Sequence, residues 1–132
     1  MQYIVCCVAK KLPIDRDGAE PWEVQLRRGS LELAVLASLW EERLYGLEIL
    51  RRLESDSDLI VAEGTVYPLL TRLKARGLIE SEWVESDSGH PRKYYWLTAA
   101  GRRRAVAMAR HASAFLARID SLIEPLLAKE DE

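Results

Sequence analysis

From Ser30 onward the apolar positions fall at helical spacing. Leu31, Leu33, Ala34, Val35, Leu36, Leu39 and Trp40 make one stripe, with Ser30 placed to cap its N-terminus. Glu41, Glu42 and Arg43 form a polar connection. Tyr45-Gly46 then opens a second stripe through Leu47, Ile49, Leu50 and Leu53, which the polar run Ser55-Asp56-Ser57-Asp58 ends. A third helix is predicted from near Glu63 or Gly64 to Arg76, burying Val66, Leu69, Leu70 and Leu73, with Gly77 as its stop. Pro68 bears on its register. A proline deep in a helix costs about 3 kcal/mol, so the start is expected close to Gly64, with Pro68 within the first turn or so.

The period changes after Gly77. Leu78 to Glu85 partly alternates, and Lys93 to Thr98, with two tyrosines and a tryptophan, is a stronger strand candidate. Between them Ser86-Asp87-Ser88-Gly89-His90-Pro91-Arg92 is dense in turn formers, so the strands should join in a hairpin with a projecting tip. Tyr94 and Tyr95 fall on opposite faces, so one of them packs. Three helices followed by a hairpin predict a mainly α (α+β) fold, a winged helix-turn-helix, over residues 22–98.

Thr98 caps a last helix over residues 99–128. Met108, Ala112, Phe115, Ile119, Leu122 and Leu126 recur on it at spacings of 4, 3, 4, 3 and 4, a heptad seam. Ala105, Ala109, Leu116, Ile123 and Leu127 widen the apolar face beyond what a solvated helix needs. Such a face must pack against something. Residues 1–28 read as an arm rather than core, with residues 1–21 as an N-terminal extension.

Composition narrows the chemistry. The chain has 132 residues and a formal net charge of −2, which argues against a general polyanion binder. The charge is unevenly spread: residues 63–104 hold eight Lys and Arg against five carboxylates, a net of +3, so the remainder carries −5. The adjacent Cys6 and Cys7 are poorly placed for a relaxed disulfide, and with no further cysteine a closed zinc site lacks ligands. The apolar stretch Tyr3 to Ala9 is too short to span a bilayer, and Lys10 and Lys11 follow it, unlike a signal peptide. No phosphate-cradling loop, nucleophile elbow or metalloprotease His pair occurs. A cytoplasmic, non-enzymatic protein with no cofactor and no membrane contact is expected. Trp40, Trp83 and Trp96 are read as core or interface, and His111 as packed or solvated.

Removing the buried set from the third helix leaves Thr65, Tyr67, Thr71, Arg72 and Lys74: hydroxyls, a phenol and two cations, suited to double-stranded DNA. His90, Arg92 and Lys93 at the hairpin add groups that could clamp phosphates, and Arg102 to Arg104 add charge beyond it. The rival expectation is a winged helix used for protein contacts without DNA.

The segments Leu26-Arg27-Arg28-Gly29-Ser30-Leu31-Glu32-Leu33, Tyr45-Gly46, Glu63-Gly64-Thr65-Val66-Tyr67-Pro68, Leu73-Lys74-Ala75-Arg76-Gly77-Leu78-Ile79, Lys93-Tyr94-Tyr95 and Leu97-Thr98-Ala99-Ala100-Gly101 together resemble the PadR family of transcriptional regulators. The likeness spans about residues 22–124. It implies a repressor on a palindromic operator, a homodimer paired through Met108, Ala112, Phe115, Ile119 and Leu122 of its C-terminal helix, with Thr65, Tyr67, Lys74 and the basic hairpin tip facing DNA. In some family members a small molecule releases the operator. With a single C-terminal helix, as in the short subfamily, such an effector is expected at the dimer interface.

Overall fold

The structure, a computed structural model, describes residues 21–57 and 63–130. Cys6, Cys7 and the expected N-terminal extension up to residue 20 lie outside the described residues. The elements are α1 (Pro21–Ser38), β1 (Leu44–Tyr45), α2 (Gly46–Ser57), α3 (Glu63–Ala75), β2 (Ile79–Val84), β3 (Arg92–Leu97) and α4 (Ala99–Glu130). The strands form an antiparallel sheet in the order β1-β3-β2. This is the winged helix-turn-helix order with a long terminal helix.

One boundary differs from the sequence expectation. Ser30 is not a cap, and residues from Pro21 on are not an arm: α1 begins at Pro21 and runs through Gly29-Ser30. Proline is well tolerated at a first helical position because its missing N–H would have no helical acceptor there. Ser30 Oγ instead donates to the Leu26 carbonyl at 2.9 Å, a bond back to the preceding turn. α3 starts at Glu63, as expected, which puts Pro68 at the opening of its second turn, so the Gly64 carbonyl loses its i+4 donor. Gly64 is exposed, and water can take that carbonyl.

α3 ends as anticipated at Gly77, whose φ of 74° is readily adopted only without a side chain. The Leu78 N–H donates to the Leu73 carbonyl and the Gly77 N–H to the Lys74 carbonyl, both at 3.0 Å, a Schellman termination sealed by the buried Leu73 and Leu78. Thr98 ties this turn to the next helix. Its Oγ1 accepts the Gly101 N–H at 3.0 Å as the α4 cap and donates to the Gly77 carbonyl at 2.7 Å. Its own N–H donates to the Leu78 carbonyl at 3.1 Å.

The core draws on every element: Val35 and Leu36 of α1, Leu44 of β1, Ile49 of α2, Leu70 and Leu73 of α3, Ile79 of β2, Leu97 of β3 and Ala105 of α4. Tyr95 is the packed member of the tyrosine pair. Tyr94, on the other face, meets Tyr45 edge-on with ring centroids 5.6 Å apart. None of the three tryptophans read as core or interface is core: Trp40 and Trp83 are exposed, and Trp96 is half-buried beneath the Arg43 guanidinium, 4.1 Å from its ring. Beyond Met108, which packs on the core, α4 leaves the domain and most of its apolar face is uncovered.

Candidate nucleic-acid interface

α3 has two unlike faces. Val66, Leu69, Leu70 and Leu73 are buried, while Thr65, Tyr67, Thr71, Arg72 and Lys74 are exposed. Two of the exposed set are less available than their sequence positions imply. The Tyr67 ring lies over Gly46 at the start of α2, where a Cβ would meet its hydroxyl oxygen at 2.6 Å. Tyr67 also neighbours Tyr95, whose hydroxyl is pushed above its usual pKa first by burial and then by Tyr67. Tyr67, 39% exposed, thus braces α3 against α2 and the sheet while presenting one edge outward. Lys74 Nζ donates to Ser81 Oγ of β2 at 2.8 Å, so this lysine bridges the helix to the wing. Thr71 Oγ1 donates to the Tyr67 carbonyl at 3.1 Å, within its own helix.

The wing separates residues that are adjacent in sequence. Register pairs Ile79 with Leu97, Ser81 with Tyr95 and Trp83 with Lys93 on the inner face, and Glu80 with Trp96, Glu82 with Tyr94 and Val84 with Arg92 on the outer. Arg92 and Lys93 therefore point to opposite sides. Arg92 stacks over Tyr45 at 4.6 Å, while Lys93 Nζ stands 5.7 Å from the Trp83 ring and 5.9 Å from that of Tyr95. His90 is exposed at the tip, beside Gly89 at φ 81°, and its carbonyl accepts from Ser86 Oγ at 2.6 Å.

Charge at the start of α4 is partly diverted from the wing. Arg102 donates to the Trp40 carbonyl at 3.1 Å and stacks on its ring at 4.7 Å. Arg104 lies 3.8 Å from Glu32, which Arg76 also reaches at 3.1 Å. Arg102 and Arg104 thus turn toward α1 and the residues just after it. Sequence reasoning missed Ser81, Trp83 and Tyr45 at the wing. Ser81 and Trp83 share the face of Ile79 by strand alternation, which was readable, but their meeting with Lys74 depends on how α3 sits on the sheet.

On α4, Ala112 and Ile119 are half-buried, and Phe115, Leu116, Leu122, Leu126 and Leu127 are exposed, Leu122 to 72%. Ala105, assigned by spacing to the second row, belongs to the core instead. An open groove of about 670 Å³ runs between α1, α2 and α4, lined by Leu33, Ala34, Trp40, Leu53, Val106 and Ala109, with Arg52 and Arg110. Among the described residues no cluster of His, Cys, Asp or Glu is arranged to hold a metal, and no helix is long and apolar enough to cross a membrane.

Residues 35–107, from the end of α1 through the wing into α4, match the transcriptional regulator PadR-like family. The chain belongs to the PadR-like family of transcriptional regulators. The match holds in three dimensions. A PadR-like transcription factor from Bacteroides fragilis is 38% identical, with a TM-score of 0.64, over 78% of this chain and 99% of its own. A PadR-like transcriptional regulator from Bacillus cereus is 30% identical, with a TM-score of 0.69, over 76% and 97%. A PadR family transcriptional regulator from Eggerthella lenta is 34% identical, also with a TM-score of 0.69, over 78% and 89%. This PadR-like chain is a transcriptional regulator rather than an enzyme.

Proposed function

We propose that this PadR-like protein is a cytoplasmic homodimeric repressor that reads a palindromic operator with α3 and is released from it by a small molecule. The observation that carries the reading is the division of α3. Four apolar side chains anchor it, and the opposite face offers hydroxyls and cations at the length of one major-groove contact. His90 and Lys93 then touch flanking backbone.

The exposed α4 seam supports the dimer. Phe115, Leu122 and Leu126 together present more contiguous apolar surface than a lone helix keeps in water. Pairing two copies about a twofold axis makes the DNA site palindromic, because the symmetry of the protein is impressed on its half-sites. The groove beside Val106 and Ala109 has the volume of a small-molecule site and adjoins the pairing helix, which suits an effector at the interface.

The test is fluorescence anisotropy of the protein on the DNA upstream of its own gene, at two salt concentrations, with a scrambled duplex as competitor. Tight, salt-sensitive binding that the scrambled duplex cannot displace is expected. Lys74→Ala and Tyr67→Ala should weaken it, the lysine variant also lowering the salt slope by about 0.9 per half-site, about 1.8 for the dimer. Equal, weak binding to both duplexes would instead favour a winged helix that contacts proteins.

A further inference from the structure

The inner face of the wing continues past the core and carries an indole that the fold does not use. Trp83 is 67% exposed, the most of any described tryptophan, with Trp22 next at 65%. Trp96 and Trp40 are each stacked under an arginine that also makes a hydrogen bond, whereas Trp83 faces only Lys93 Nζ at 5.7 Å. An uncovered indole this large wastes apolar area unless a partner covers it.

Its place in the sheet indicates which partner. Ser81 and Trp83 lie on one face of β2 two residues apart, about 7 Å along the strand. Ser81 is the residue that Lys74 reaches from α3, and Lys93 is paired directly across from Trp83. Lys74, Ser81, Trp83 and Lys93 therefore form one strip leading from the end of α3 onto the wing. The carboxylates of the same strand point elsewhere: Glu80 and Glu82 lie on the outer face, and Glu82 is held by Arg43 at 2.6 Å. On a chain of net charge −2, this segregation leaves a local strip of two cations around an indole.

We propose that Trp83 is a further DNA-contacting residue, its ring laid against the deoxyribose edge of the groove beside the one α3 enters, with Lys74 and Lys93 on the flanking phosphates. The proposal rests on the DNA-binding reading above and adds a contact to it. A sugar edge is apolar and flanked by anions, matching an indole flanked by ammonium groups. It is the same on every base pair, so the contact strengthens binding without selecting sequence. A partner protein would lack that regular alternation of apolar sugar and phosphate.

The experiment uses the full chain and a fluorescein-labelled duplex that the wild-type protein recovers from a random-sequence pool, alongside a scrambled version. Trp83→Ala should bind both duplexes about tenfold more weakly, the loss of one well-buried contact, with an unchanged thermal melt. Because no charge is removed, its salt slope should stay at the wild-type value, whereas Lys93→Ala should lower the slope by about 0.9 per half-site, about 1.8 for the dimer. Trp83→Phe should keep most of the affinity, and the tryptophan emission change on DNA binding should disappear in it. Wild-type affinity in Trp83→Ala, or a Trp83→Phe as weak as the alanine variant, overturns the inference while leaving the DNA-binding reading in place. Recovery of no duplex by the wild-type protein removes that reading and the inference with it.

Discussion

Gly101→Ala introduces a single methyl group at the third residue of α4, a change that in an ordinary helix is stabilising by about 1 kcal/mol. Here the sign should reverse. A Cβ at this position would overlap the Leu78 carbonyl oxygen and stand 2.9 Å from its carbon and 3.3 Å from Leu97 Cδ2. The obstacle is backbone, so a rotamer change cannot relieve it. Either α4 or the α3–β2 turn must move, and the bonds that would stretch are those from Thr98 to Leu78 and Gly77 and from Gly101 to Thr98. At about 1 kcal/mol for each of three hydrogen bonds, less the helix-propensity gain, the net loss is about 2 kcal/mol. For a chain of this size that is a fall of roughly 6–10 °C in Tm.

The control is Gly29→Ala. Gly29 also sits inside a helix, but nothing lies within 4 Å of its would-be Cβ, so propensity alone acts and a rise of roughly 2–4 °C follows. Helical circular dichroism followed through thermal unfolding, at one protein concentration for all variants, reads both changes. Gly101→Ala melting at or above the wild-type temperature would refute the reasoning, because it would mean the α4 junction yields without cost.

Phe115→Asp and Ile119→Asp should convert the protein to monomers in light scattering after size exclusion, with the winged domain still folded, since each places an unpaired carboxylate in the proposed seam; a dimer surviving both would put the interface elsewhere. Gly46→Ala should weaken DNA binding without touching DNA, because the new methyl would displace the Tyr67 ring that braces α3; wild-type affinity would show that the brace is dispensable. The raised pKa of Tyr95 favours its neutral form in the folded state, so its contribution is complete below the unfolded value near 10 and is lost as pH climbs through the higher folded value. Urea midpoints should accordingly fall less steeply on alkaline titration for Tyr95→Phe than for wild type, and parallel curves would contradict the assignment.

What could be read from residues alone follows from the range of the forces involved. α3, the hairpin and the Thr98 cap rest on local signals: apolar period, turn formers, a hydroxyl three residues before an orphan N–H. β1 escaped because two residues cannot show an alternation, and it exists only because Leu44 and Tyr45 meet Tyr95 and Tyr94 in space. Ser30 misled because Gly29-Ser30 has the composition of a helix start, yet the packing of Leu31, Val35 and Leu36 carries α1 through it. The exposed faces were assigned by subtraction, which identifies what is not core but not what else holds it. Hence Tyr67, Lys74, Arg92, Arg102 and Arg104 all proved to be engaged by neighbours outside their own elements.

The junction at Gly77, Leu78, Thr98 and Gly101 joins the two halves of the proposed function mechanically. The end of α3, the start of β2, the end of β3 and the start of α4 meet there through backbone and hydroxyl bonds rather than long side chains. Such bonds hold geometry closely, because little rotamer freedom intervenes between the elements. If α4 pairs the protomers, the separation of the two α3 helices is set by α4 and transmitted through this contact. The spacing of operator half-sites then depends on a glycine and a threonine that touch neither DNA nor the partner. A molecule that tilts α4 from the groove beside Val106 and Ala109 would move α3 and the wing as one body, the lever a releasing ligand requires.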